Sequence, residues 1–231
     1  MDFLSTSPRH DPYRNIHKGL RAAMFDAVHC VGAADVDDAA GLSAALDKVE
    51  RLLRLMGAHV KHENEYLHTA IEARTAGGAR RTANDHQEHV DALAALSAQA
   101  AALRGPGGRA ESLHRLYLDL AEFVAENLRH MRVEETDNNA QLWALYGDDE
   151  LVAIHDRLLA SVEPAVMADA IAWMGRGLSL RELAELLEEI RRKAPAPAFE
   201  ALLAQVRHAV DPARWSLLSR ALARSEDALA A

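Results

Sequence analysis

Two His-xxx-Glu pairs dominate the chemistry this chain could perform: His59 with Glu63 in HVKHE, and His130 with Glu134 in HMRVE. A spacing of four places both side chains of a pair on one helix face, about one turn apart. Between the pairs lies NDHQEH, with His86 and His89, and upstream lies NIHKGLR, with His17. If the helices carrying these residues converge in a four-helix bundle, their imidazoles and carboxylates meet in its core and can hold a pair of metal ions. Imidazole and carboxylate without thiolate suit iron, manganese or zinc. Two carboxylates able to bridge favour a dinuclear iron centre over a single structural zinc.

The region around His130 tests this reading for consistency. Glu122, Glu126, His130 and Glu134 follow one another at spacing four. Burying bare carboxylates costs several kcal/mol each unless cations or hydrogen bonds compensate them, and a metal ion is an economical compensation. A metal-binding imidazole also needs its other N–H held by an acceptor. Glu126, one turn before His130, is the expected acceptor. Other histidines carry blander readings. His10, His29, His62, His68 and His114 are expected as surface or satisfied core residues, and His62 with Glu65 as a solvated helix face. Tyr66 and Tyr117 are expected to pack, and Cys30 to be a small buried apolar residue.

Long helices must position these residues. The first begins near Asp11-Pro12 and runs through Ile16, Leu20, Met24 and Val28 to Gly32. A second spans about 41–74 and ends before Gly77-Gly78; a third spans about 80–103, ended by the GPGG at 105–108; a fourth spans about 111–146. Short connections between long helices imply antiparallel neighbours. The expected fold is all-α: an antiparallel up-down four-helix bundle over residues 10–147, then a C-terminal helical extension over 148–231. In that extension Asp149 and Ser179 look like helix starts, Ser179 with Glu182 forming a capping box. Its helices offer a surface for a protein partner.

Bulk properties agree. Hydrophobic residues make up 49% of the 231, enough to fill a core, while aromatics are only 5%, which favours close-packed helices over sheet. A net charge of -9 argues against nucleic acid or an anionic membrane as partner. The single cysteine excludes an internal disulfide and suits a reducing cytoplasm. The opening MDFLSTSPRH lacks the pattern of a signal peptide, and no stretch approaches the roughly 18 apolar residues of a membrane span. The expected location is the cytoplasm.

The order His17, His59-xxx-Glu63, His86, His130-xxx-Glu134 resembles the hemerythrin-like family, the HHE cation-binding domain, over about residues 10–146. HVKHENEYLHTAIE and LRHMRVEET carry most of the likeness. The resemblance implies an antiparallel four-helix bundle around a non-haem di-iron centre. On matching positions His17, His59, Glu63, His86, His130 and Glu134 would be ligands, with Glu63 and Glu134 bridging two irons. One departure stands out. Oxygen-carrying hemerythrins place H-xxx-H on the third helix, whereas this chain has His86-xx-His89 and Val90. His89 is then an added ligand, an outer partner or a surface residue. The fourth helix carries Glu134-Glu135 in place of H-xxxx-D. The resemblance implies a metal-binding protein that binds or senses oxygen or iron, with dioxygen or a related diatomic as ligand. The alternative is a di-iron oxidoreductase acting on peroxide, oxygen or nitric oxide, for which the sequence offers no legible donor of protons or electrons.

Overall fold

The computed structural model describes residues 9–105 and 109–230. The first eight residues and the Pro-Gly-Gly at 106–108, read above as a leader-free start and a helix breaker, lie outside the described residues. Every regular element among the described residues is helical.

Helix α1 (Arg14–Gly32) starts where Asp11 Oδ1 accepts the backbone N–H groups of Tyr13 and Arg14, both at 3.0 Å. Asp38 does the same for α2 (Ala39–His62), accepting from Ala40 at 3.2 Å and Gly41 at 3.0 Å. Such caps satisfy N–H groups that have no intrahelical acceptor. Helix α2 does not stop at His62. It continues through a π-helical segment, Glu63–His68, into α3 (Thr69–Arg74). A tight turn follows, with Gly77 at φ 75°, a conformation that costs a residue with a Cβ. Glu72 pins this turn by accepting from the N–H groups of Gly77 (2.7 Å) and Ala79 (2.9 Å). Helix α4 (Arg80–Leu103) then begins.

Helix α5 (Arg109–Val133) repeats the arrangement of α2: it passes through a π-segment, Glu134–Asn138, into α6 (Asn139–Leu145). Each π-segment thus begins at the glutamate of a His-xxx-Glu pair. π-Segments are uncommon and leave the regular backbone ladder imperfect. Here hydroxyls take up carbonyls beside them: Thr69 Oγ1 donates to Asn64 O (3.0 Å) and Thr136 Oγ1 to Arg132 O (2.8 Å). Helix α7 (Asp148–Ser161) follows Gly147, so Asp149 lies one residue inside the helix and not at its start.

Helix α4 packs on α2 and α5, α3 packs on α6, and α7 packs on Glu63–His68. Leu46, Val49 and Met56 of α2, with Leu116, Leu120 and Phe123 of α5, are buried and supply hydrocarbon on either side of the polar residues described below. Each contributes about 1.5–3 kcal/mol by leaving water. Cys30 is half-buried, not fully buried as expected: Lys48 Nζ lies 3.0 Å from its Sγ and 2.9 Å from Asp26 Oδ2.

The chain divides into two compact units. One comprises residues up to Arg14 with Met24–Val162; the other comprises Asn15–Ala23 with the chain from Glu163 onward. The second unit contains α8 (Pro164–Gly177), α9 (Leu180–Lys193), α10 (Ala196–Ala209) and α11 (Pro212–Ala230), with α8 on α10 and α9 on both α10 and α11. Ser179 and Glu182 form the expected capping box. Lys18 Nζ reaches Glu182 Oε1 at 2.6 Å and is the leading reason that carboxyl falls to about 2. Among the described residues no single helix is long and apolar enough to cross a membrane.

Candidate metal centre

Four buried side chains from three helical runs meet in the first unit: Glu63, His86, His130 and Glu134. One donor atom from each lies within 4.8 Å of all the others. Glu63 and Glu134 are 2% and 0% exposed, His86 and His130 1% and 5%. Their contacts are close. His86 Nε2 lies 2.9 Å from His130 Nε2, 3.4 Å from Glu63 Oε2 and 3.5 Å from Glu134 Oε1. His130 Nε2 lies 3.2 Å from Glu134 Oε2, and His59 Nε2 lies 3.2 Å from Glu63 Oε1.

The opposite edges of the two central rings explain their orientation. His86 Nδ1 pairs with Asn64 Oδ1 at 2.8 Å, and His130 Nδ1 pairs with Asp85 Oδ2 at 3.1 Å. Both partners accept, so each Nδ1 must carry a proton. In the neutral rings both Nε2 atoms then present lone pairs to one another. Two lone pairs at 2.9 Å repel unless a proton or a metal cation lies between them. This donor set, two imidazoles with fixed tautomers and two buried carboxylates, fits a divalent or trivalent cation.

The same geometry shifts the titration of each group in the metal-free protein. Burial pushes the His86 imidazole down, but its contacts with Glu134 and Glu63 outweigh burial and raise it to about 9. For His130 burial again opposes, and the Glu134 carboxylate wins, raising it. Glu134 is held well below the ordinary carboxyl range: burial would raise it, but hydrogen bonds from His130, His68 and His86 dominate.

Of the other residues expected here, His17 is fully buried on α1, in the stretch belonging to the second unit. His89 lies in the buried stripe of α4 with Thr82, His86 and Leu96, whereas Val90 is 45% exposed on another face. Its ring stands edge-on to His130 at 4.8 Å between centroids, yet it is not among the four clustered donors. Burial, then the positive charges of His130 and His86, push it down to about 4. Glu122 is exposed, and the acceptor for His130 is Asp85, not Glu126. Spacing along a single helix could offer only Glu126 as a candidate, whereas Asp85 reaches across from α4.

Sequence reasoning also missed His68, Thr82, Asn138 and Tyr13 around this cluster. His68 is buried, stacks on His86 at 4.7 Å, and brings Nε2 to 3.7 Å from Glu134 Oε1 and 3.1 Å from Thr82 Oγ1. Thr82 in turn accepts from Asn138 Nδ2 at 3.0 Å. His68 follows Glu63 by five residues, a spacing that a π-turn closes and a regular α-helix does not. Tyr13 is fully buried; burial, then the negative charges of Glu134 and Glu63, drive its phenol well above the usual range.

Between α4 and α5 a cleft of about 250 Å³ leads to this cluster, lined by Arg81, Asp85, Glu88 and His89 from one helix and Glu126, Arg129, His130 and Val133 from the other.

Comparison with protein families shows that the model of the hemerythrin HHE cation-binding domain matches residues 11–141. Comparisons with curated proteins and with solved structures find no match. The matched span contains both His-xxx-Glu pairs and the buried cluster they help to build. The chain belongs to the hemerythrin HHE cation-binding domain family.

Proposed function

We propose that this protein carries a non-haem di-iron centre and uses it to bind or sense oxygen, a related diatomic, or iron itself. The observation that carries the reading is the pair of Nε2 atoms, from His86 and His130, facing each other at 2.9 Å between two buried carboxylates. On this reading His17, His59, Glu63, His86, His130 and Glu134 would hold the metal, and the two carboxylates would be shared. The bundle around them is the antiparallel up-down arrangement of residues 10–147, in a cytoplasmic protein whose residues 148–231 form a helical extension suited to a protein partner.

A di-iron pair held this way would supply one-electron redox steps and ligand binding. The chain's own residues do the rest. Asn64 and Asp85 hold protons on the outer nitrogens of His86 and His130, which keeps the inner nitrogens free to donate. Thr82 and Asn138 hold His68 beside Glu134. Leu116, Leu120 and Met56 limit water in the interior.

A second reading, a di-iron oxidoreductase acting on peroxide, oxygen or nitric oxide, is favoured by Tyr13. Its phenol is fully buried within the field of both carboxylates, which keep the proton on it, and it is a redox-capable side chain that the sequence did not reveal.

Elemental analysis of untagged protein, with an ultraviolet–visible spectrum before and after oxygen, tests the proposal. About two irons per chain, with oxo-bridged charge-transfer bands that respond to oxygen, is the expected result. One zinc, or no iron after anaerobic reconstitution, overturns it. Catalytic consumption of peroxide or nitric oxide would move the assignment to the second reading.

A further inference from the structure

We infer that Cys30 and Lys48 form a peroxide-sensitive pair, in which oxidised Cys30 is captured by the Lys48 amine as a sulfenamide that ties α1 to α2. The inference is independent of the metal reading and concerns other residues of the first unit.

The pair is set up by contact, charge and access. Lys48 Nζ lies 3.0 Å from Cys30 Sγ and 2.9 Å from Asp26 Oδ2, and that carboxylate oxygen lies 3.9 Å from the same sulfur. An N···S distance of 3.0 Å is as short as an ordinary N–H···O bond, although sulfur is the larger atom, so the amine rests against the thiol. Asp26 and Cys30 stand one turn apart on α1, and Lys48 reaches both from α2. The group is open to a small oxidant: Cys30 is half-buried, and the Lys48 and Asp26 side chains are 47% and 29% exposed. A positive charge beside a partly exposed sulfur is the setting in which cysteines react with peroxide. Contact with Cys30, then with Asp26, raises Lys48 above the usual lysine range, so the amine is an ammonium in the resting protein.

Hydrogen peroxide supplies the oxidising equivalents. Its O–O bond breaks as one oxygen bonds to Sγ; sulfur loses two electrons, water leaves, and Cys30 becomes a sulfenic acid. A sulfenic acid can condense with a second thiol, but this chain has a single cysteine, and the nucleophile in contact is Lys48 Nζ. The ammonium passes one proton to Asp26, its nitrogen attacks sulfur, and the sulfenic oxygen departs as water with a second nitrogen-bound proton. No further electrons move. Two equivalents of an external thiol reverse the bond, returning the Cys30 thiol and the Lys48 amine and leaving the reductant as a disulfide. While it lasts, the S–N bond bridges the connection between α1 and α2 and keeps the sulfur from the irreversible sulfinic and sulfonic acids.

Peptide mapping tests this directly. Cys30 and Lys48 lie in one tryptic peptide, residues 22–48, and the next tryptic site is Arg51. Full-length protein treated with hydrogen peroxide, digested without reductant and analysed by mass spectrometry should yield a 22–51 peptide with two hydrogens fewer than its sequence, because a bonded Nζ blocks cleavage after Lys48. Dithiothreitol before digestion should restore the 22–48 peptide. Lys48→Arg keeps the positive charge but removes the amine, so dimedone labelling of Cys30 should rise about threefold or more over the parent, followed by sulfinic acid. The proposal is overturned if the parent's Cys30 accumulates as sulfinic acid, or as a disulfide between chains, while trypsin still cleaves after Lys48. It is equally overturned if Cys30 stays a free thiol with peroxide remaining in solution, or if dimedone labels the parent and Lys48→Arg alike. Should Lys48→Arg not fold, the peptide map of the parent decides alone.

Discussion

Asp85→Ala probes how much of the site's metal affinity depends on a residue that touches no metal. Asp85 Oδ2 accepts from His130 Nδ1 at 3.1 Å. Removing it frees the imidazole to rotate or to move its proton to Nε2, the atom needed for donation. A hydrogen bond to a charged group contributes about 1.5–3 kcal/mol, or roughly 10–100-fold in an equilibrium constant, the range seen when outer partners of metal ligands are removed. The Asp85 side chain is 36% exposed, so water replaces part of the lost contact and the lower end applies. The expected loss is about tenfold in affinity, read by anaerobic competition against a chelator of known iron affinity. Asp85→Asn retains an acceptor oxygen and should lose no more than about threefold. If Asp85→Ala holds metal within twofold of the parent, the account of how His130 is oriented is wrong.

His130→Ala should remove at least one metal per chain and lower the melting temperature, because Glu134 loses both its nearest imidazole and its cation; full metal content with an unchanged melting temperature would count against the site. Metal affinity should rise with pH by about tenfold per unit up to about 9, since the cation must displace the proton that His86 holds there, a dependence measurable by the same chelator competition. Stability of the metal-free protein runs the opposite way. The raised His86 pKa stabilises the fold fully below its unfolded value of about 6.5 and ceases to do so as pH climbs through about 9, which urea denaturation at several pH values would detect. Gly77→Ala, at φ 75°, should cost about 1–2 kcal/mol in urea denaturation without changing metal content.

Much of the architecture was legible because its signals are local. Gly77 and Gly32 mark helix ends, and Ser179 with Glu182 announces a cap by spacing alone. The two His-xxx-Glu pairs are visible for the same reason: each spans a single turn of one helix. The residues that escaped notice act between elements. Asp85 precedes His86 on α4 but orients His130 on α5, and Tyr13 precedes α1 yet lies within the field of Glu63 and Glu134. No periodicity along one helix encodes either relation. His68 escaped for a different reason, because regular helical spacing puts it off the Glu63 face while the π-segment brings it round.

Those π-segments set the phase of everything after them. Each accommodates one extra residue, so the helix beyond it is turned by about 100° relative to a regular continuation, one residue's share of a 3.6-residue turn. The two long helical runs therefore present one face before the segment and another after it. Up to its first residue they offer candidate metal donors. From its far end onward they offer Leu67, Ala70, Ile71 and Leu142, which form a hydrocarbon plug with Tyr13, Ala79 and the α7 residues Leu151 and Ile154. Deleting a single residue between 63 and 68 would leave His59 in place and rotate that plug away from α7. In this fold the wide turns are phase shifters, letting one continuous rod serve a polar centre and an oily plug in succession.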